Sequence, residues 1–365
     1  MDKLRVGIVG TSRGSDFYRE FSKLKDVEIV AAMDPDNQAL DRFKREHPVK
    51  YTFSLYEDLL NCGIDAVAIT SPLQFHAEQA IKALDQDIHV LSEVTAATTI
   101  EECKALLQAA KNSKAQYMMA ENYCYIRENI AVRNMVEKGV FGDIYFAEGE
   151  YLHDVVDLHY DSEGNPTWRR KYTMGKRGCT YGTHSLGPTL QWFNERVKYV
   201  NCLGSGTHTI PGYENDDTTI MLCRTESEAL IKIRLDMVSK RPHNMAYYTL
   251  QGTKGCYEAP RIPGGDHKVW LKDYAKGSED WMSLTELYRE FLPEELIELP
   301  EEAKDSHHWG ADYFMVKDFV RCIFEEKPVQ IDIYKALEFT VPGIMSEKSI
   351  VAGGIPIEVP DIRSW

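Results

Sequence analysis

The sequence predicts an α/β protein of two domains: a doubly wound parallel sheet, then an α+β domain with a large, mostly antiparallel open sheet. Residues 1–120 alternate between short β-branched runs and helical patterns, which predicts parallel strands joined by crossover helices. After Glu121, long strand-like segments follow one another with few helices between them. The length of 365 residues also fits two domains, at roughly 100 to 200 residues each.

We place the boundary after Asn122, giving domains 1–122 and 123–365, and leave open whether the C-terminal helical region packs back on the first domain. In the first domain we predict strands over 4–9, 28–33, 66–70, 89–91 and 116–119, and helices over 15–24, 38–46, 55–61, 74–84 and 100–112. In the second we predict strands over 144–153, 197–205, 218–223, 229–238, 247–252 and 255–258, and helices over 129–138, 312–324 and 336–352. Segments 260–265 and 294–302 are expected to be surface connections.

Composition narrows the class of protein. A net charge of -15 argues against nucleic acid and anionic membranes as partners, because phosphates are repelled by the average field. The eight cysteines form no Cys-x-x-Cys pair and no zinc-spaced cluster, which is typical of reduced thiols. The first predicted strand leaves no room for a signal peptide, and no apolar run approaches the ~20 residues of a membrane span. We therefore expect a cytoplasmic enzyme.

The turn after the first predicted strand is a degraded Gly-x-Gly-x-x-Gly motif, the dinucleotide-binding turn of a Rossmann domain. Gly10 occupies the tight turn, Ser12 replaces the glycine that lets the pyrophosphate approach, and Gly14 stands one position early, after Arg13. The turn leaves a predicted strand and opens a helix, whose N-terminus favours phosphate.

An acidic residue follows at the end of the second predicted strand. Asp34 stands 24 positions after Gly10, and a carboxylate there accepts hydrogen bonds from the adenosine ribose and repels a 2'-phosphate. The sequence thus predicts NAD as the cofactor. Asp36 is the alternative for the same role.

Several segments resemble the glucose-fructose oxidoreductase, inositol dehydrogenase and MocA (Gfo/Idh/MocA) family. They are residues 70–76, 89–93 and 121–122, and the resemblance extends over essentially the whole chain. It implies a nicotinamide site lined by Ser71, Pro72, His76, Glu93 and Asn122. It also implies a homo-oligomer, since exposed sheet faces associate in this family.

Two positions depart from the usual family pattern. The lysine that commonly binds the reacting hydroxyl is replaced by Val94, and the aspartate of an Asp-x-Gly-x-His motif by Thr180. The motif's histidine remains as His184, within small and turn-forming residues 181–188. Segments 93–97, 118–125, 134–142, 150–154 and 182–188 are instead similar to glycoside hydrolase family 109, whose members retain NAD and cleave glycosides through transient oxidation.

Hydride transfer from a sugar C3 needs a base within about 2.6 to 3.2 Å of the hydroxyl proton. Because Val94 cannot serve, the candidates are His184, His153 and Tyr151. The last two stand two apart on a predicted strand, so their side chains face the same side. Which of the three is the base stays open.

Further polar and aromatic residues are candidates for binding the sugar. Trp168, Arg169 and Tyr172 suit a sugar pocket, although a solvated loop explains them equally well. His307 and His308 precede Asp312, which suggests a metal site. Because adjacent histidines point in different directions, we favour hydrogen bonds to a sugar hydroxyl and expect no metal.

Three functions are compatible with these residues. The first is an NAD-dependent oxidoreductase acting on a hydroxyl of a pyranose or glycoside, at C3. The second is an NAD-retaining glycosidase that works by oxidation, elimination, hydration and reduction. The third, suggested by the lost lysine and aspartate, is a sensor that binds NAD and a sugar without catalysis.

Overall fold

The computed structural model describes residues 3–161, 163–172 and 176–365. The chain divides into two compact units. The first comprises Met1–Asn122, Pro300–Leu337 and Ile362–Trp365, and the second comprises Tyr123–Leu299 and Glu338–Asp361.

The first unit is built on a six-stranded sheet in the order β3-β2-β1-β4-β5-β6, and all neighbouring strands are parallel. The strands are β1 (Leu4–Val9), β2 (Val27–Met33), β3 (Tyr51–Phe53), β4 (Ala66–Ile69), β5 (His89–Ser92) and β6 (Tyr117–Met119). The connecting helices are α1 (Thr11–Ser22), α2 (Asn37–Glu46), α3 (Tyr56–Leu60), α4 (His76–Leu84) and α5 (Ile100–Asn112). The strand order reverses between β1 and β4, and in such sheets the ligand crevice opens at the carboxyl ends of these strands.

The second unit contains a nine-stranded sheet in the order β14-β13-β12-β11-β7-β10-β9-β8-β15. The strands are β7 (Ile144–Leu152), β8 (Val197–Gly204), β9 (Thr218–Thr225), β10 (Leu230–Asp236), β11 (Asn244–Gly252), β12 (Gly255–Glu258), β13 (Lys268–Leu271), β14 (Met282–Ser283) and β15 (Ile357–Glu358). Its helices are α6 (Arg127–Glu137), α7 (Trp168–Tyr172), α8 (Thr183–Phe193), α9 (Tyr288–Phe291) and α10 (Glu294–Ile297). Only β7 and β10 pair in parallel among the paired strands described, so the sheet is mostly antiparallel.

The chain returns to the first unit after α10. It forms α11 (Glu301–Lys304) and α12 (Ala311–Phe324), and then begins α13 (Ile333–Val351), whose remainder belongs to the second unit. No helix among the described residues is both long and apolar enough to cross a membrane.

The fold class predicted from the sequence is confirmed, but several local predictions are wrong. Helix α8 was not predicted at the small and turn-forming residues around His184, and the surface connection expected over 294–302 contains α10 and the first residues of α11. The short strands β3, β13, β14 and β15 were not predicted, because two to four residues carry too little periodicity. Helix α1 begins at Thr11, four residues before the predicted start at Ser15.

Candidate functional site

The turn between β1 and α1 and the first part of α1 each require a glycine. Gly10 has φ 83°, and a Cβ atom there would lie 2.7 Å from the backbone nitrogen of Ser71. A Cβ atom on Gly14 would lie 2.5 Å from Cγ2 of Ile8. Gly10 therefore allows the tight turn beside β4, and Gly14 allows α1 to pack on β1. Ser12 lies exposed between them.

Asp34 lies at the end of β2, beside the first turn of α1. Its Oδ2 accepts hydrogen bonds from the backbone nitrogen and the hydroxyl of Thr11, both at 2.8 Å. Its Oδ1 accepts one from the backbone nitrogen of Asp36 at 3.0 Å. Asp36 caps α2 by accepting from Gln38. Asp34 is thus held at the edge of the sheet where a dinucleotide's ribose binds.

His76 connects two loops at the same edge. Its Nδ1 lies 2.9 Å from the Thr95 carbonyl oxygen, and its Nε2 lies 2.8 Å from that of Ser71. Burial lowers the pKa of His76, although the two carbonyls oppose this change. A neutral ring donates from only one nitrogen, so His76 donates to one of these two carbonyls and positions the turn that Ser71 and Pro72 begin.

Arg13 gathers three carboxylates above the carboxyl edge. Its guanidinium lies 2.7 Å from Glu93, 2.9 Å from Asp16 and 3.1 Å from Asp312. Burial opposes its charge, but Glu93 and Asp312 outweigh that effect and raise the pKa of Arg13. No sequence motif places Asp312 with Arg13. Arg13 thereby joins the first turn of α1 to the residue that follows β5.

Asp312 also contacts Asn122 and His308. It accepts a 2.7 Å hydrogen bond from Nδ2 of Asn122, and its two oxygens lie 3.1 and 3.2 Å from Nδ1 of His308. His307 lies apart from this carboxylate, with Nε2 3.5 Å from Asp16. The two adjacent histidines therefore meet different partners within the first unit.

These residues fit a bound dinucleotide. Gly10 permits the tight turn that leads into α1, the N-terminus of α1 suits a pyrophosphate, and Asp34 suits a ribose. Buried Asn122 also presents a side-chain oxygen that has no hydrogen-bond partner in the described part of the chain. Glu93, Ser71 and Pro72 stand at the ends of β5 and β4, on the nicotinamide side of the reversal point.

In the second unit, a tyrosine and a histidine lie together at the end of β7. The hydroxyl of Tyr151 lies 3.0 Å from Nδ1 of His153. Tyr151 is buried, whereas His153 is partly exposed. Their shared face follows from the two-residue repeat of a strand. A hydroxyl bonded to an imidazole can pass a proton in either direction.

His184 lies in the first turn of α8, among aromatic rings. Its ring centroid is 4.3 Å from that of Tyr123, 5.2 Å from that of Tyr151 and 5.5 Å from that of Tyr181. The structure thus brings together the three proposed acid/base residues, Tyr151, His153 and His184. The surrounding rings provide apolar faces of the kind that pack against sugars.

A proline and a glycine explain how His184 is held. Pro188 has no N–H to donate to the carbonyl of His184, four residues earlier in α8. The hydroxyl of Tyr248 on β11 donates to that carbonyl instead, at 2.5 Å. A Cβ atom on Gly149 of β7 would lie 2.5 Å from the Ser185 carbonyl oxygen, so glycine there lets α8 approach the sheet.

His153 is kept neutral at physiological pH. Burial, followed by the neighbouring His243, lowers the pKa of His153 to about 4. The two imidazole centroids are 4.2 Å apart in an edge-to-face arrangement. A neutral ring has one nitrogen that donates and one that accepts, which suits proton exchange with Tyr151.

Lowering the pH from 7 to 5 is expected to destabilise the protein partly through His153. In the unfolded protein His153 takes up a proton near pH 6.5, but in the folded protein it does so only near pH 4. The free energy of unfolding therefore falls as the pH is lowered across that window. The free energy of unfolding of the His153→Gln variant should fall by about 1 kcal/mol less than that of the wild type over this range, after allowance for the partial exposure of the ring. Thermal unfolding at both pH values, with exposed His208→Gln as control, measures the difference. Equal losses in wild type and His153→Gln would contradict it.

The proposed sugar-binding residues fall into different places. Trp168, Arg169 and Tyr172 lie on α7, where the Arg169 guanidinium sits 4.4 Å from the Trp168 ring centroid. Arg169 also contributes to lowering the pKa of His153, after burial and His243. Hence Arg169 lies near His153 in the second unit, whereas His307 and His308 belong to the first unit.

Part of the site was missed from the sequence. Tyr248 carries no motif that marks it, and Tyr123 is marked only as part of segment 118–125. Asp312 is marked only by its four-residue spacing from His308, which is a helical contact distance. Within the described part of the chain, no group of three or more His, Cys, Asp or Glu side chains could hold a metal ion.

The fold and its cofactor edge define a class of protein. The chain matches the family model described as "Oxidoreductase family, NAD-binding Rossmann fold" over residues 4–121. The protein is therefore an NAD-binding oxidoreductase by fold and cofactor. It also matches the GFO/IDH/MocA C-terminal domain over residues 130–258 and the "Glycosyl hydrolase 109, C-terminal domain" over residues 196–364. The chain belongs to the Gfo/Idh/MocA family.

Similar proteins agree with this assignment. A "glycosyl hydrolase family 109 protein" of Shewanella pealeana is 29% identical, covering 99% of this chain and 86% of its own length. One of Solibacter usitatus is 29% identical over 98% and 88%. A levoglucosan dehydrogenase solved with NADH and levoglucosan has the same fold, with TM-score 0.82, 19% identity and coverage of 98% and 100%.

Proposed function

We propose that this protein oxidises a hydroxyl of a pyranose sugar or glycoside, at C3, by hydride transfer to NAD. The hydrogen bond between Tyr151 and His153 carries this proposal, because the reaction needs a group that takes the hydroxyl proton. Aromatic rings around His184 supply a surface for a sugar. NAD supplies the hydride acceptor when bound.

The proton transfer follows from the chemistry of the two side chains. The Tyr151 hydroxyl can accept the substrate proton while its own proton moves to Nδ1 of His153, and the partly exposed ring can pass its other ring proton to solvent, so that it is neutral again at pH 7. His184, stacked against Tyr151, is placed to bind the same hydroxyl or its neighbour. This assignment provides the base that Val94, in place of the family lysine, cannot provide.

Two comparisons support a sugar substrate. Structures with this fold include a levoglucosan dehydrogenase solved with NADH and levoglucosan, and another solved with NADH and L-sorbose. These proteins share about a fifth of their residues with this chain, so their substrates guide the choice of compounds to test. Trp168 and Arg169 are proposed as sugar contacts because Arg169 lies close enough to His153 to lower its pKa and also contacts the Trp168 ring.

The second candidate function is glycoside cleavage with retained NAD. It is favoured by the match to the glycosyl hydrolase 109 C-terminal domain over residues 196–364. This reaction needs a second base to remove the C2 hydrogen that a C3 ketone acidifies. The second unit offers two acid/base groups, His184 and the Tyr151–His153 pair.

Incubation of the purified protein with sugars and aryl glycosides separates the candidates. With added NAD, oxidation is expected to yield keto sugar and NADH in equal amounts. Aglycone release without added NAD and without net NADH would establish the glycosidase and overturn the first proposal. Binding of NAD with no turnover across the panel would favour the sensor.

A further inference from the structure

We propose that Asp312 is a positioning residue of the nicotinamide subsite, which fixes the Asn122 amide so that its oxygen accepts a hydrogen bond from the carboxamide of NAD. The proposal rests on NAD binding and is independent of the substrate. Asp312 comes from α12, far along the chain from the strands that form the cofactor edge.

The Asp312 carboxyl group is buried and ionised. Its side chain is only 4% exposed. Burial would raise its pKa, but the hydrogen bond with His308 and the charge of Arg13 outweigh burial and hold the pKa well below its usual range. Asp312 is therefore an ionised carboxylate, which accepts hydrogen bonds and donates none.

The contact with Asp312 fixes the orientation of the Asn122 side-chain amide. A carboxylate at 2.7 Å requires the NH2 group of Asn122 on its side, which turns the amide oxygen away from Asp312. That oxygen is buried and has no hydrogen-bond partner among the residues that the structure describes. A buried acceptor of this kind is costly unless a ligand supplies the donor.

The position of Asn122 relative to the sheet indicates which hydrogen-bond donor its amide oxygen meets. In a doubly wound sheet the dinucleotide crosses the carboxyl edge, with one nucleotide on each side of the reversal point. Asp34 after β2 marks the adenosine side. Asn122 follows β6, at the opposite end of the sheet, so it lies on the nicotinamide side. The carboxamide NH2 is the donor on the nicotinamide ring.

Backbone strain next to Asp312 supports a ligand-binding role for this corner. His308, Trp309 and Gly310 have φ values of 52°, 58° and 91°, so two consecutive non-glycine residues adopt the left-handed conformation. Such strain persists where the surroundings impose it, often at ligand-binding sites. Here Asp312, four residues further along the chain, holds the His308 ring.

The test compares NAD with 3-acetylpyridine adenine dinucleotide, in which a methyl group replaces the carboxamide NH2. Calorimetric titration of the wild type should show NAD binding about tenfold more tightly, the effect of one lost hydrogen bond to a buried acceptor. In Asp312→Asn the preference should fall nearly to equality, because the new amide can no longer impose one orientation on Asn122. General damage would weaken both dinucleotides alike and leave the ratio unchanged.

Asp16→Asn is the matched control, because Asp16 also pairs with Arg13 but does not contact Asn122. It should keep the wild-type preference. A wild type that binds both dinucleotides equally, or an Asp312→Asn variant that keeps the preference, would overturn the proposal. If Asp312→Asn does not fold, Asn122→Ala provides the same comparison: loss of the preference supports the proposal and its retention overturns it.

Discussion

Replacing Tyr151 with phenylalanine is expected to lower kcat/KM for the sugar by about 10² to 10⁴-fold, the usual contribution of a proton-transfer group. The substitution removes only the hydroxyl that lies 3.0 Å from His153, and it keeps the ring that packs against His184. Initial rates of NADH formation measure the loss. NAD affinity should not change.

Tyr247→Phe is the matched control for this experiment. Tyr247 is a buried tyrosine on β11 whose register partner is Glu150, so it lies on the sheet face opposite to Tyr151. Its hydroxyl lies 3.4 Å from Glu258, so its loss also removes a contact. Equal rates for Tyr151→Phe and the wild type would contradict the proposed proton transfer.

Substitution of His184 by alanine is expected to lower kcat/KM by about 10²-fold or more. The ring lies between Tyr123 and Tyr151, and its loss removes a polar group and the packing that orients Tyr151. His184→Gln keeps much of the volume and a hydrogen-bonding group. A chemical role predicts that the glutamine variant stays impaired, whereas a packing role predicts partial recovery.

His159→Gln tests whether any buried histidine in this unit has the same effect. Nδ1 of His159 lies 2.7 Å from the hydroxyl of Tyr213, a pairing like that of His153 with Tyr151. Burial lowers the pKa of His159 to about 4, as it does for His153. Activity should survive in His159→Gln when the folded fraction is equal by thermal unfolding. Full activity of His184→Ala would remove His184 from the reaction.

The cofactor edge could be predicted largely from local sequence. Gly10, Gly14 and Asp34 act within one β-α-β unit, where spacing along the chain translates directly into spacing at the sheet edge. The pairing of Tyr151 with His153 also follows from the two-residue repeat of a strand. Both kinds of inference need only local geometry.

Helix α8, which carries His184, could not be predicted in this way. Residues 181–188 contain glycines and a proline, which favour turns over helix. Nevertheless α8 forms, because Gly149 lets it approach β7 and Tyr248 satisfies the carbonyl that Pro188 leaves without a helical donor. Those partners lie on other strands and cannot be inferred from the segment itself.

The sequence by itself therefore determined the fold class, the NAD-binding edge and the residue types available for catalysis, since these depend on periodicity and on short-range motifs. Only the tertiary structure decided which side chains meet. It places Asp312 of α12 against Arg13 and Asn122, and it stacks His184 on Tyr123 and Tyr151. The physical reason is that such contacts join distant segments, whose packing depends on the whole unit and not on local preference.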